Sequence, residues 1–113
     1  MLPRTRRLRS SDVERVLKAG FSLAHPPLRA KAQPRPSGAT VSRYAVVVSK
    51  KVAGTAVVRN KLRRMAFAAL EHIPPTPPHD VVVMVTKVYV RRRELAQDIE
   101  VLLARLVRMG VRT

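Results

Sequence analysis

Two short runs constrain the fold more than anything else in this chain. They are residues 42–50 (SRYAVVVSK) and 80–86 (DVVVMVT). Each is rich in β-branched residues and apolar at odd and even positions alike. A strand sends successive side chains to opposite faces, so a run apolar on both faces must be covered on both. In the first run Tyr44, Val46 and Val48 would face one side, and Ala45, Val47 and Ser49 the other. Both runs are therefore expected to be central strands under helices. A helical pattern from Ala56 to Glu71 lies between them, followed by Pro74-Pro75-Thr76-Pro77-Pro78, a stiff polyproline II connector that reads as a spacer.

The flanking segments fit a small layered domain. Residues 11–19 read as a short helix, with Ser11 and Glu14 as a capping box and Gly20 as a left-handed C-terminal residue. Val13, Val16 and Leu17 form its apolar stripe, and Phe21 is expected to fold back on Val16. Leu28, Ala30 and Ala32 alternate with Arg29 and Lys31 between prolines, which suggests an edge strand. Ser37-Gly38 is a turn signal. Leu95, Ile99, Leu102, Leu106 and Met109 repeat at helical spacing across residues 91–109, a core-packing face. At 113 residues the whole chain, 1–113, is expected to be one domain, with residues 1–9 a flexible basic N-terminus.

Charge narrows the function. There are 23 Lys plus Arg against 7 Asp plus Glu, a formal net charge of +16. A folded surface so basic repels itself unless a polyanion neutralises it. The chain has no cysteine, which removes disulfides, thiolate metal sites and cysteine nucleophiles. His25, His72 and His79 lack metal-ligand spacing, and the acids Asp12, Glu14, Glu71, Asp80, Glu94, Asp98 and Glu100 show no paired-carboxylate pattern. No metal site and no catalytic constellation is expected in the protein. No run of 18 apolar residues and no signal-peptide stretch occurs, so the expected location is cytoplasmic, away from membranes.

The charge is concentrated. No acid occurs between Glu14 and Glu71. On a helical wheel stepping about 100° per residue from Arg59, Arg63 falls near 40°, Asn60 near 100°, Arg64 near 140° and Lys61 near 200°. Val58, Leu62, Met65, Ala66 and Ala69 fall together on the other side. Lys50 and Lys51 leave the preceding strand close to the start of this helix. A solvated face normally mixes both signs at i, i+4; this one carries cations alone, which suits phosphate oxygens. Asn60 both donates and accepts, and so suits a base edge or a 2′-hydroxyl.

Arg59-Asn60-x-x-Arg63-Arg64, led by Ser49-Lys50-Lys51-Val52 and Ala56-Val57, resembles the signature of the bacterial ribonuclease P protein subunit. Leu8-Arg9, Asp12-x-x-x-Val16-x-x-x-Gly20, Asp80 with its valine run and the terminal amphipathic helix extend the resemblance over nearly the whole chain. It implies an α+β fold, a single-domain α-β-β-β-α-β-α sandwich of the ribosomal protein S5 domain 2 type. A central sheet and a basic helix in a left-handed crossover between parallel strands belong to it. It also implies a function: part of a ribonucleoprotein endonuclease, a hydrolase that removes the 5′ leader of precursor tRNA. Catalysis and Mg²⁺ would belong to the catalytic RNA. Lys50, Lys51, Arg59, Asn60, Lys61, Arg63 and Arg64 are the expected contacts to that RNA, and the protein alone is expected to be monomeric.

Three departures from the family pattern stand out. The stretch Val52–Ala56 is one residue longer than usual, which shifts Lys50 and Lys51 against the helix. Phe67 replaces a basic residue within the cationic sector; it is either buried by a neighbouring element or available to stack on a base. Val13 and Leu17 stand where the family carries aromatics lining a cleft for the leader. They either line that cleft, with Arg29 and Lys31 supplying charge, or pack in the core. The alternative function is a structural RNA-binding protein of ribosomal type with no part in cleavage; a free-standing protein nuclease is a third.

Overall fold

The structure is a computed structural model that describes residues 3–36, 38–73 and 77–111. A short 3-10 turn (Arg4–Arg6) precedes α1 (Ser10–Ala19), β1 (Phe21–His25), β2 (Leu28–Pro34), β3 (Arg43–Val48), α2 (Ala56–Glu71), β4 (His79–Val85) and α3 (Arg92–Val111). The α-β-β-β-α-β-α order expected from the resemblance is the order observed. The four strands form one sheet in the order β1-β2-β4-β3. β1 and β2 are an antiparallel hairpin turning at Pro26-Pro27, whose peptide is cis. β4 inserts antiparallel to β2 and parallel to β3, with α2 making the crossover between the parallel pair.

Strand placement corrects two expectations. β2 is an inner strand between β1 and β4, and β3 lies at the edge. β2 shows flanking prolines because they lie at its ends, where no ladder donor is lost: Pro27 precedes it and Pro34 is its last residue. β1 was not legible as a strand, because Phe-Ser-Leu-Ala-His is short and its outward residues are small. Edge strand β3 is shielded by the N-terminal segment: Arg7 bridges Tyr44 in parallel, and the Leu8 N–H donates to the Tyr44 carbonyl at 2.9 Å. Residues 4–8 of the stretch expected to be flexible are therefore docked on the sheet.

The period-two pattern sorts the sheet's faces. Leu28, Ala30, Ala32, Tyr44, Val46, Val48, Val81, Val83 and Val85 point into the main core. There they meet Leu62, Met65, Ala66 and Leu70 of α2, and Leu95, Ile99, Leu102 and Leu106 of α3. The stripe expected on the last helix is buried as far as Leu106; the Met109 side chain lies outside the described residues. A Leu-to-Ala change at such a buried position costs about 2–5 kcal/mol. The opposite face carries a smaller cluster, in which Val16 of α1 packs on Ala45 and Val82, with Leu8, Val13 and Met84 around it. Helices thus cover both faces, α2 and α3 on one and α1 on the other.

The ends of α1 differ from expectation. The helix starts at Ser10 behind Arg9, and no side chain caps it, so Ser11 and Glu14 do not form a capping box. Gly20 is extended at φ −73°, ψ 156°, not left-handed. Its lack of a side chain serves a close approach: a Cβ there would lie 2.6 Å from the Val16 carbonyl oxygen and 2.8 Å from that of Ala32. Phe21 does not fold back on Val16. It packs against the main core with its ring edge to His79, on the other side of the sheet from Val16. Gly38 does adopt a positive φ of 96°, in the turn closed by Ala39 N–H to Pro36 carbonyl; Ser37 lies outside the described residues. So do residues 74–76 of the proline connector.

Candidate nucleic-acid interface

The turn after β3 and the first turns of α2 hold the basic motif. Val52 and Ala53 N–H groups both donate to the Ser49 carbonyl, which folds the chain back at once and leaves Lys50 and Lys51 exposed at the turn. Ala53 is buried and Val52 packs against the core, so the longer Val52–Ala56 stretch is anchored rather than looped out. Thr55 caps α2, its hydroxyl accepting from the Val58 N–H at 3.3 Å.

Within α2 the cations have different settings. Arg59 is half-buried, and its Nη1 donates to the Ala53 carbonyl at 2.9 Å, tying the helix to the turn. Arg63 donates to the Asn60 side-chain carbonyl. That bond engages the acceptor of Asn60 and holds the two residues as one polar unit. Lys61 and Arg64 are exposed. Phe67, which the wheel placed in the cationic sector, is partly buried against the main core. The wheel treats a helix in isolation; α3 packs beside α2 and narrows the solvent-facing arc. What remains is a face of exposed or half-exposed guanidinium and ammonium groups with Asn60 among them.

On the α1 side, three cross-strand rows run over the sheet. Ala24, Arg29, Met84 and Val47 form the first; Ser22, Lys31, Val82 and Ala45 the second; Gln33, Asp80 and Arg43 the third. Val16 covers the second row, and Arg15 reaches the third through Gln33 and Asp80. In the first row Arg29 and Val47 are exposed, and Leu17 on α1 is 36% exposed. The structure thus brings Val13, Leu17, Arg29 and Lys31 to one face. It separates their roles: Val13 packs in the α1 cluster, whereas Leu17 faces solvent.

Sequence reading missed a buried ion cluster. Asp80 is 1% exposed. Its carboxylate accepts from Arg43 Nε at 2.9 Å, Arg43 Nη2 at 2.8 Å and Arg15 Nη2 at 2.7 Å, while Arg35 Nε approaches to 3.6 Å. Asp12 joins through Arg15 and Arg43. Burial by itself pushes the Asp80 carboxyl upward, but the hydrogen bonds and charges of Arg43 and Arg15 together outweigh it and hold it below its ordinary value. The partners are far apart in sequence, so no spacing could reveal them. The only signal was Asp80 itself, an acid opening an otherwise apolar run. Beside this cluster Arg4, Arg7, Arg9 and Arg43, with Thr5, Ser11 and Asp12, line a polar cavity of about 370 Å³. These N-terminal cations, diffuse in the sequence, converge in space.

Fold and site together define a small α+β domain with a basic face on the helix that connects two parallel strands. The Ribonuclease P family profile matches residues 2–107. The chain belongs to that family. It is 36% identical over 87 residues to the ribonuclease P protein component of Synechocystis sp., covering 74% of this chain and 69% of that protein. The fold resembles the ribonuclease P protein from Thermotoga maritima, at TM-score 0.63 and 26% identity over 89% of this chain and 94% of that one. It also resembles a Staphylococcus aureus ribonuclease P protein mutant with defective mRNA degradation activity, at TM-score 0.75, 23% identity, and 88% and 86% coverage.

Proposed function

We propose that this chain is the protein subunit of a ribonuclease P holoenzyme, which binds the catalytic RNA through α2 and the 5′ leader of precursor tRNA across the α1 face of the sheet. Family membership supports the coarse reading, a component of a tRNA-processing ribonucleoprotein endonuclease. The observation that carries the finer reading is the α2 face. Lys50, Lys51, Lys61 and Arg64 stand exposed, while Arg59, Asn60 and Arg63 are held in place by bonds to Ala53 and to one another. Such a face is pre-organised for phosphate oxygens. In this reading Leu17, Arg29 and Lys31 border the leader groove, and Val13 packs in the α1 cluster beneath the helix; charge replaces aromatic stacking there.

Catalysis is assigned to the RNA and its Mg²⁺ ions. Three of the seven acids are occupied otherwise: Asp12 and Asp80 by arginines, Asp98 by His25 and the Tyr89 hydroxyl. Among the described residues no three His, Cys, Asp or Glu side chains gather where they could hold a metal ion. No helix among the described residues is long and apolar enough to cross a membrane. The cytoplasm is the proposed location.

Reconstitution tests the reading. Protein, ribonuclease P RNA and precursor tRNA are mixed at low Mg²⁺, and 5′-leader release is followed. Stimulation over RNA alone is expected; none would leave only a structural RNA-binding role. Cleavage by RNA-free protein would instead move catalysis into the protein.

A further inference from the structure

The connection between β4 and α3 carries a second concentration of charge that the α2 motif does not include. Lys87, Arg91, Arg92 and Arg93 are all exposed, and none forms an ion pair among the described residues. Arg92 and Arg93 occupy the first turn of α3, where Glu94 is the acid present. The N-terminus of a helix is its positive end, so cations there oppose the aligned peptide dipoles. A local rule broken without an internal counter-ion points to an external one.

The corner is also held rigid. Tyr89 is buried, and its hydroxyl donates to Asp98 on α3. The Lys87 ammonium lies 4.7 Å from the Tyr89 ring centre, and the Thr86 hydroxyl donates to the Pro27 carbonyl. With Tyr89 pinned inward, its neighbours point out: Val88 is 46% and Val90 86% exposed. Two aliphatic side chains and four cations thus stand on a fixed surface. Asp98, engaged by Tyr89 and His25, does not neutralise them.

Its position joins it to α2. Val48 and Val85 are the last paired residues of parallel strands β3 and β4. The two strands therefore leave the sheet side by side, about 4.8 Å apart. One leads into Lys50, Lys51 and the start of α2, the other into Lys87 and the arginine triplet. We propose that the β4–α3 corner is a second phosphate-binding surface for the catalytic RNA, continuous with the α2 face around this end of the sheet. The proposal rests on the reading that this chain assembles with that RNA. Arginine forks take the phosphodiester oxygens, and Val88 and Val90 lie against the ribose faces between them.

The test measures binding of the full-length chain to ribonuclease P RNA across a NaCl series. Four proteins are compared: wild type, Arg91→Gln/Arg92→Gln/Arg93→Gln, the same triplet changed to Lys, and Arg64→Ala on α2. If all three guanidiniums meet phosphates, the Gln triplet makes the slope of log affinity against log salt shallower by about two to three, with a loss on the order of a hundredfold at 0.15 M salt. The Lys triplet keeps the wild-type slope. Circular dichroism and a melt establish folding, and single Arg→Gln changes, each worth a slope of about one, replace a triplet that fails to fold. Wild-type affinity and slope in the Gln triplet, with Arg64→Ala weakened, would overturn the second surface alone. No effect from any variant would overturn the assembly reading beneath it. Unchanged RNA affinity with weaker binding of leader-bearing precursor tRNA to the assembled holoenzyme would make the corner a substrate surface, and also overturn the proposal.

Discussion

Asp80→Asn is the substitution whose outcome follows most directly from the structure. It keeps the side chain's volume and removes its charge. Three arginines, Arg15, Arg35 and Arg43, would then face one another with Asp12 as their remaining acid. Removing one partner of a buried ion pair costs about 3–5 kcal/mol. Here Arg15 reaches solvent, its side chain 42% exposed, and screening there lowers the expectation to about 2–4 kcal/mol. For a chain of 113 residues, each kcal/mol shifts the melting point by roughly 4 °C, so a fall of about 8–16 °C is expected at neutral pH and low salt. Urea unfolding followed by circular dichroism measures the same difference as a free energy.

The pH arm separates charge from packing. The Asp80 carboxyl is held below its ordinary value in the folded state. Its contribution is therefore complete above the unfolded value of about 4 and is lost as pH falls through the lower folded value. The gap between wild type and Asp80→Asn should stay constant from pH 7 to about 5 and close below about 4. A melting-point change under 3 °C, or a gap that persists unchanged into acid, would refute the ion-cluster account.

Gly20→Ala places a Cβ within 2.8 Å of two backbone carbonyl oxygens; overpacking of this kind should cost about 1–3 kcal/mol in a denaturant titration. Thr55→Ala removes the cap of α2 and should cost about 1 kcal/mol, whereas Thr55→Ser should restore most of it. Arg64→Ala and Arg59→Ala should both weaken RNA affinity, but only Arg59→Ala releases the Ala53 carbonyl; faster amide exchange in residues 49–55 distinguishes them. If about six cations on the α2 side meet phosphates, that side should contribute about −4 to −5 to the wild-type salt slope, with the β4–α3 corner adding to it; a flat response would contradict phosphate binding.

Local patterns carried the elements that depend on local physics. Helical spacing alone placed Ala56–Glu71 almost without reference to the rest of the chain. Alternation put Tyr44, Val46 and Val48 on one face, and that face lies in the main core; it did not show that Val47 on the other face stays 37% exposed. Order within the sheet was not legible in the residues, because it depends on which strand reaches the gap beside β2. The pairing of Ala30 with Val83 is long-range, and composition says nothing about such distance. Phe67 was ambiguous for the same reason: its burial depends on a core assembled from elements distant in sequence. The motif around Asn60 was visible because its parts lie within one helix. The arginines around Asp80 were invisible because they come from α1, β3 and the segment after β2.

Sheet order has a consequence for biosynthesis. The strand that joins β2 to β3 is β4, and it is the last strand to be made. A nascent chain ending before residue 79 contains the β1–β2 hairpin, β3 and α2, but nothing to join the hairpin to β3. It also contains Arg15, Arg35 and Arg43 without the carboxylate at which they meet. Domains generally form as units during synthesis, and this unit cannot close until Asp80 and its valines leave the ribosome. The central strand and the counter-ion arrive together, so topology and charge neutralisation are completed in the same step.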